Sequence, residues 1–340
     1  LFRSELVWQD AMNLVTDIKY NADSNGCNIS FKVDRSSIRQ GNAVIAIKDV
    51  SDAILWSWHV WVTDEDINNV IEITNHQNVK YNFMPVNLGQ CDGNTITYEE
   101  RSCKVKFIAG DQSKEITIKQ LANVIATGSN APFYQWGRKD PLYPSNGMGN
   151  TTKIWYDKEG IPSTANPMKG TFSAGNDCIK NCILNPNLMH NRYNGDYTYY
   201  NLWSADNKTT SANDNPVNKT IYDPCPVGFK LPASNAFTGF TTTGESVSSS
   251  TQVNGTWSSS EKGWYFYTNS EKTQSIFFPA LGYRSYSTMR PGSIGTQGCF
   301  WSAHPVAKGN NYYLRTSSVD VQPTYMVDRG FGYALRPCQD

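Results

Sequence analysis

The chain has 340 residues, of which 30 are basic and 30 are acidic, so its formal net charge is zero. This length suits one large domain or two ordinary ones, with a substantial hydrophobic core. A neutral chain without blocks of like charge lacks the basic surface that binds nucleic acid or anionic membranes, and we expect no nucleic-acid partner.

Aromatic residues make up 13% of the chain and charged residues only 18%, a balance that favours stacking and polar contacts in an extracellular setting. The eight cysteines include no Cys-x-x-Cys pair. Cys178 and Cys182 are one residue too far apart for the commonest zinc knuckle, and no nearby His-x₃₋₅-His completes one. We therefore expect disulfides, an oxidising compartment, and no metal or other cofactor.

The chain starts at Leu1 without a basic and apolar signal pattern, and its apolar runs are too short to span a bilayer. We expect a mature or trimmed fragment of an exported protein. We assign residues 1–40 to a β-rich N-terminal segment that is the end of a preceding domain, or a dock for one. Residues 41–340 then form the main domain.

The N-terminal residues predict one helix and three strands. Apolar residues at helical spacing predict a helix over residues 6–18. Alternating apolar and polar residues predict strands over residues 28–33 and Gly41–Lys48. Residues 53–62 are apolar on both faces, which is typical of a strand in the centre of a sheet.

The middle of the chain predicts short strands and long polar loops. The strands are expected at residues 79–86, 103–108 and 115–118. Residues 142–170 and 204–219 are rich in loop-forming residues. Between them, residues 174–184 predict a short helix that Asn176 or Asp177 caps and that Asn185-Pro186 ends.

The stretch Tyr222-Asp-Pro-Cys-Pro-Val-Gly-Phe-Lys-Leu-Pro232 contains three prolines, which fix its backbone. Cys225 lies inside it, and Cys338 lies two residues before the chain ends. We predict a structural disulfide between them, which makes residues 222–340 a closed C-terminal half. Such a bond contributes about 4–5 kcal/mol in the chain-entropy model. The alternative is two unpaired, buried cysteines, and the pairing of the other six is not readable.

A set of motifs in fixed order resembles a known family. The motifs are ILWSWHVWVTDED, MPVNLG, FYQWGRKDP, CIKNCILNP, YNLWSAD, KTIYDPCPVGFKLP, FPALGYRS, GCFWSA and GYALRPC. Together they resemble the Fibrobacter succinogenes major paralogous domain family, found in cell-surface and fimbrial proteins of Bacteroidetes. Val86 and the extra cysteines Cys182 and Cys299 depart from its pattern.

That resemblance implies an α+β, C-type-lectin-like fold of mostly short antiparallel strands with a few short helices and long loops. It also implies a short helix near residues 233–240 and a closing strand at residues 332–336, which brings Cys225 close to Cys338. The implied setting is the cell surface, outer membrane or fimbrium, with cell adhesion as the activity.

Lectin-like folds carry ligand sites on long loops. Within residues 241–301, Tyr283, Arg284, Tyr286 and Arg290 are the candidates for ligand binding, because rings stack on sugars and arginines bond their hydroxyls. Trp257 and Trp301 are expected in core strands instead. The calcium-binding sugar motifs of true C-type lectins are absent, so binding would be calcium-independent.

The resulting prediction is a non-enzymatic adhesin or fimbria-associated protein that binds a glycan or a protein on a host or neighbouring cell. One alternative is a structural or tip subunit that acts in fimbrial assembly and contacts other fimbrial subunits. The other is an enzyme related to formylglycine-generating enzymes. The four histidines are scattered, and no nucleophile elbow or phosphate-binding loop occurs, so we expect no catalytic residues.

Overall fold

The structure is a computed structural model. It describes residues 2–340 except 25, 94, 127–128, 148–151, 171–174, 192–202, 207, 209 and 307–308. Strand accounts for 45% and helix for 5%, arranged as many small antiparallel sheets. The predicted α+β class is therefore wrong, because the fold is β-rich with a single α-helix in the described part. No helix among these residues is long and apolar enough to cross a membrane.

The first half of the chain contains the strands β1 Arg3–Gln9, β2 Thr16–Asp23, β3 Gly26–Lys32, β4 Gly41–Lys48, β5 Ile54–Val62, β6 Ile71–Thr74, β7 Lys80–Phe83, β8 Thr95–Tyr98, β9 Arg101–Ala109, β10 Gln112–Gln120, β11 Asn123–Ala126, β12 Tyr134–Gln135, β13 Trp155–Tyr156 and β14 Pro162–Ser163.

The second half contains β15 Met168–Gly170, the helix α1 Gly175–Leu184, β16 Leu188–His190, β17 Phe229–Lys230, 3₁₀ helices at Thr238–Phe240 and Ser250–Gln252, β18 Gly255–Ser258, β19 Gly263–Tyr267, β20 Ser275–Pro279, β21 Tyr283–Arg284, β22 Pro291–Gly292, β23 Gly298–Pro305, β24 Asn310–Thr316, β25 Val321–Asp328, β26 Gly332–Tyr333 and β27 Cys338–Gln339.

An antiparallel sheet in the order β14, β13, β1, β4, β5 contains the first strand, whereas β2 and β3 pair in a separate two-stranded sheet. The predicted helix over residues 6–18 is wrong, because Leu6 and Trp8 alternate in β1 and Asn13 turns the chain with φ 56° before β2. A bulge between Leu6 and Trp8 places Trp8 opposite Val44. Since β1 pairs with β4, this sheet uses residues on both sides of residue 40, and the predicted boundary there stays a prediction.

The strand predicted over residues 53–62 is confirmed as β5, but its predicted central position is wrong, since β5 lies at the edge of the sheet. Segments outside the sheet cover part of its apolar surface. The Trp56 ring lies 4.5 Å from the Lys139 ammonium group and 5.6 Å from the Tyr222 ring. Trp58 is 42% exposed. Apolar residues on both faces therefore do not require flanking strands on both sides.

The two largest clusters of buried residues are rich in aromatic side chains. Phe240 and Phe266 stack at 3.9 Å in one cluster, which also contains Phe278. Trp136 and Trp301 lie in the other, where their indole N–H groups donate to the carbonyls of Ser302 and Tyr134. Because each buried N–H has an acceptor, these rings contribute apolar area without an unpaired donor.

The proline-stiffened stretch and the end of the chain lie side by side: β17 is hydrogen-bonded to β27, with Lys230 opposite Cys338. The buried Asp223 carboxylate fixes the stretch, accepting hydrogen bonds from the backbone N–H groups of Cys225 and Leu231. All eight cysteines are free thiols in the structure. Cys225 and Cys338 are both buried, and the disulfide between them stays a prediction.

Two elements that the family resemblance implies are only partly present. Near residues 233–240 the chain forms turns and the 3₁₀ helix Thr238–Phe240 in place of an α-helix. The closing segment contains the short strand β26, which lies between β12 and β21. The predicted helix over residues 174–184 is confirmed as α1. Asp177 lies in its first turn, and the capping position falls outside the described residues.

A two-stranded arm, residues 95–126, consists of β8, β9, β10 and β11. β9 and β10 pair along their full length, and β8 pairs with β11. In the described part of the chain, no other strand joins these pairs. The register places Cys103, Val105, Phe107, Ile116 and Ile118 on one face of the arm. Phe107 is 57% exposed and Ile118 53%, so this apolar face is open to solvent.

Candidate ligand-binding cleft

The four predicted ligand residues lie in a hairpin of β21 and β22, but they face different surroundings. Arg284 and Arg290 line a cleft of about 240 Å³. Tyr283 and Tyr286 instead pack edge-on against the ring of Phe331, with centroid distances of 5.5 and 4.8 Å. The structure therefore brings the two arginines together at one site and places the two tyrosines in a separate aromatic contact.

Arg284 is 3% exposed and builds the cleft wall. Its Nη1 donates to Asn166 Oδ1 at 3.0 Å and to the Met289 carbonyl at 2.7 Å. Its Nη2 donates to the carbonyls of Tyr143 and Pro144 at 3.0 and 3.1 Å. Among the described residues no carboxylate accepts from it, and burial lowers the pKa of Arg284 to about 10. Arg284 therefore holds together segments that are distant in sequence.

An aromatic wall forms another part of the cleft lining. The rings of Trp155 and Tyr143 are stacked, with centroids 4.2 Å apart and planes 12° from parallel. Trp8 supports Tyr143 from the sheet at 5.5 Å in an edge contact. The Trp155 indole N–H donates to the Ala165 carbonyl at 3.0 Å. Because stacking and this hydrogen bond fix the half-buried Trp155, its ring is a preorganised surface for a ligand.

The polar lining of the cleft is cationic. Lys153, Arg284 and Arg290 line it together with Asn166, and none of the described lining residues is acidic. Lys153 Nζ lies 3.8 Å from the buried carboxylate of Asp10, which offsets part of its charge. Arg290 is exposed to solvent, and Arg284 has only neutral partners. The cleft thus combines an aromatic plane, amide and hydroxyl groups, and excess positive charge.

Sequence reasoning found the arginines of this site and missed its aromatic half. Tyr143, Trp155 and Asn166 lie in the segment 142–170, which the sequence predicts only as loop. The usable signal is Trp155 itself, since a large ring in a polar loop needs either a packing partner or a ligand. The tryptophans expected in core strands are there: Trp301 is buried, and Trp257 packs against the aromatic core.

One polar cluster has the residue types of a serine–lysine catalytic pair. Lys139 Nζ donates to Ser57 Oγ at 2.6 Å and to the Asp140 carboxylate, and Ser57 Oγ donates to Asp140 at 2.8 Å. All three residues are buried, and none lines the cleft. A nucleophile must be reachable by its substrate, so this cluster stabilises the packing of β5. The prediction of a non-enzymatic protein stays a prediction.

Comparisons with models of protein families, with curated proteins and with solved structures gave no match. The resemblance to the Fibrobacter succinogenes major paralogous domain family therefore stays a prediction from its motifs. The cleft has to be interpreted from its own geometry and charge.

Proposed function

We propose that this protein is a non-enzymatic, cell-surface or fimbria-associated adhesin that binds an acidic carbohydrate in the cleft. The observation that carries this proposal is that the fixed Trp155 ring and the exposed Arg290 line one cleft, with no acidic residue among its described lining residues. A sugar ring presents an apolar face that stacks on an indole. A uronic acid or sulfate group then meets the cations at the other side of the cleft.

The charge of the cleft favours an acidic ligand over a neutral one. An exposed guanidinium pairs with carboxylate or sulfate oxygens through charge-assisted hydrogen bonds, which are stronger than bonds to neutral hydroxyls. The Arg284 charge adds to this field although its terminal N–H groups already donate to three carbonyls and to the Asn166 amide oxygen. The volume of about 240 Å³ suits one sugar residue of a longer chain, with the rest of the glycan outside.

The test is a glycan array that contains matched acidic and neutral oligosaccharides, followed by calorimetry on the best binder. We expect binding to uronic-acid or sulfated glycans that weakens with rising salt. Arg290→Met should reduce affinity by about tenfold, the loss of one charge-assisted bond. Arg35→Met is the matched control, since Arg35 is an exposed arginine away from the cleft. Equal effects of the two substitutions would refute the proposal.

A second test addresses the aromatic wall. Trp155→Leu should weaken the same binding by about tenfold or more, since base and ring stacking is worth ~1–3 kcal/mol in proteins that bind planar ligands. Trp58→Leu provides the control, because Trp58 is a partly exposed tryptophan outside the cleft. Preference for neutral glycans, unchanged by Arg290→Met, would favour a different site.

The arm supports a second candidate function, which is assembly with a second copy of this chain. A two-stranded hairpin in water is only marginally stable without a covering partner, and the outer edges of this arm are free to pair. The polar face of the arm carries both positive and negative side chains, including the Lys104–Glu115 ion pair. Such a mixed face does not repel a second copy of itself. Light scattering across a concentration series tests this candidate, and a strictly monomeric protein would contradict it.

A further inference from the structure

Two cysteines and a histidine, none of which lines the cleft, meet beside helix α1. The Sγ atoms of Cys178 and Cys182 and a ring nitrogen of His190 lie within 4.8 Å of one another. Cys178 and Cys182 are four residues apart on α1, so both side chains point from the same helical face. His190 is the last residue of β16. Cys178 and His190 are buried, and Cys182 is half-buried.

The segment that carries the histidine is held in place by hydrogen bonds to its backbone. The Gln135 side chain accepts from the His190 N–H at 3.0 Å and donates to the His190 carbonyl at 2.8 Å. The Arg138 guanidinium donates to the carbonyls of Asn185 and Pro186, just after α1. These bonds fix the turn between the helix and β16, so the three side chains are positioned before any ligand arrives.

We propose that Cys178, Cys182 and His190 form a binding site for a thiophilic divalent metal ion of the zinc type. Thiolate and imidazole ligands select zinc-like ions over calcium or magnesium. In zinc sites the metal lies about 2.3 Å from sulfur and about 2.0–2.1 Å from nitrogen, so an inward movement of these three atoms would bring them to the spacing of three ligands of one metal ion. Each thiol releases its proton to solvent on binding, and the neutral imidazole donates a nitrogen lone pair.

Three protein ligands leave the fourth position of a tetrahedral zinc site to a water molecule. The sequence did not reveal this site, because the Cys-x₃-Cys spacing has no adjacent histidine pair. His190 reaches it only through the turn that follows α1, eight residues after Cys182. This inference is independent of the proposed carbohydrate site.

Cobalt titration tests the site, because Co²⁺ bound by thiolates gives charge-transfer absorption in the near ultraviolet. The full chain is reduced, freed of metal and titrated with Co²⁺ alone, followed by Zn²⁺. We expect one equivalent of Co²⁺ to bind with thiolate absorption and one equivalent of Zn²⁺ to displace it. Cys182→Ser and His190→Gln should each weaken Zn²⁺ binding at least about 100-fold, more than the loss of an outer partner.

Cys299→Ser is the matched control, since Cys299 is a buried cysteine that is not one of the three ligand residues; it should bind Co²⁺ like the parent chain. If a ligand variant fails to fold, the parent chain decides the question by its urea unfolding midpoint with Zn²⁺ and with chelator. A higher midpoint with Zn²⁺ supports the site. Absence of thiolate absorption, or equal binding by the ligand variants and Cys299→Ser, overturns it. A Cys178–Cys182 disulfide that survives the reduction step also overturns it.

Discussion

Replacement of Arg284 by methionine tests whether this arginine is a structural member of the cleft wall. The substitution keeps most of the aliphatic side chain and removes the guanidinium. It leaves three buried acceptors without their donor, namely the carbonyls of Tyr143, Pro144 and Met289, whereas the amide oxygen of the exposed Asn166 can bond to water instead. At about 1 kcal/mol for each buried unsatisfied acceptor, the free energy of unfolding falls by about 3 kcal/mol.

Urea unfolding followed by tryptophan fluorescence measures this loss, with the slopes compared so that a change in cooperativity is recognised. Arg290→Met is the matched control, because Arg290 is exposed and should change the unfolding free energy by less than about 0.5 kcal/mol. An Arg284→Met protein within about 1 kcal/mol of the parent chain would refute the assigned structural role. The same comparison shows why Arg290 is the better probe of ligand binding: its removal leaves the cleft intact.

Three further predictions concern other parts of the fold. Burial lowers the pKa of His59 to about 3, so between its usual pKa and pH 5 the His59 ring is protonated in the unfolded chain and neutral in the folded one. Lowering the pH from 7.5 to 5 should therefore reduce the unfolding free energy by about 2 kcal/mol. Urea unfolding of His59→Gln at the two pH values should lack this loss. Asp140→Asn should lower the unfolding free energy by about 3 kcal/mol, because it leaves the Lys139 ammonium group buried without its counter-charge. Adding Lys139→Met to the Asp140→Asn chain should recover part of this loss. A double variant no more stable than Asp140→Asn would contradict the pairing. Phe107→Asp should abolish any concentration-dependent self-association seen by light scattering, while changing the unfolding free energy by less than about 0.5 kcal/mol. Self-association that persists in this variant would exclude the apolar face of the arm as the contact between copies.

Local signals in the sequence predicted single elements well. The alternation of apolar residues in Gly41–Lys48 is confirmed as β4, and the helix ended by Asn185-Pro186 is confirmed as α1. Both depend on neighbouring residues alone. The segment 6–18 misled because its apolar spacing fits two structures. A left-handed residue at Asn13 and pairing with β4 decided between them, and spacing reports neither.

Long-range contacts decided what the sequence could not show. Arg284 has the chemistry of a ligand residue, but its partners lie up to 141 residues away in the chain, and only folding reveals that they enclose it. Trp155 became a site residue through its stack on Tyr143. His190 joined Cys178 and Cys182 through a turn fixed by Arg138. The α+β class failed because it was inferred from a resemblance, whereas the short strands pair among themselves with little helix.

The most direct measurement of the central claim is a crystal structure of the protein with the tightest-binding acidic glycan bound. Our account predicts one sugar ring stacked on the Trp155 indole and its acidic group about 3 Å from the Arg290 guanidinium. The Arg284 bonds to the wall should be unchanged. A glycan bound elsewhere on the molecule, with this cleft empty, would contradict the account.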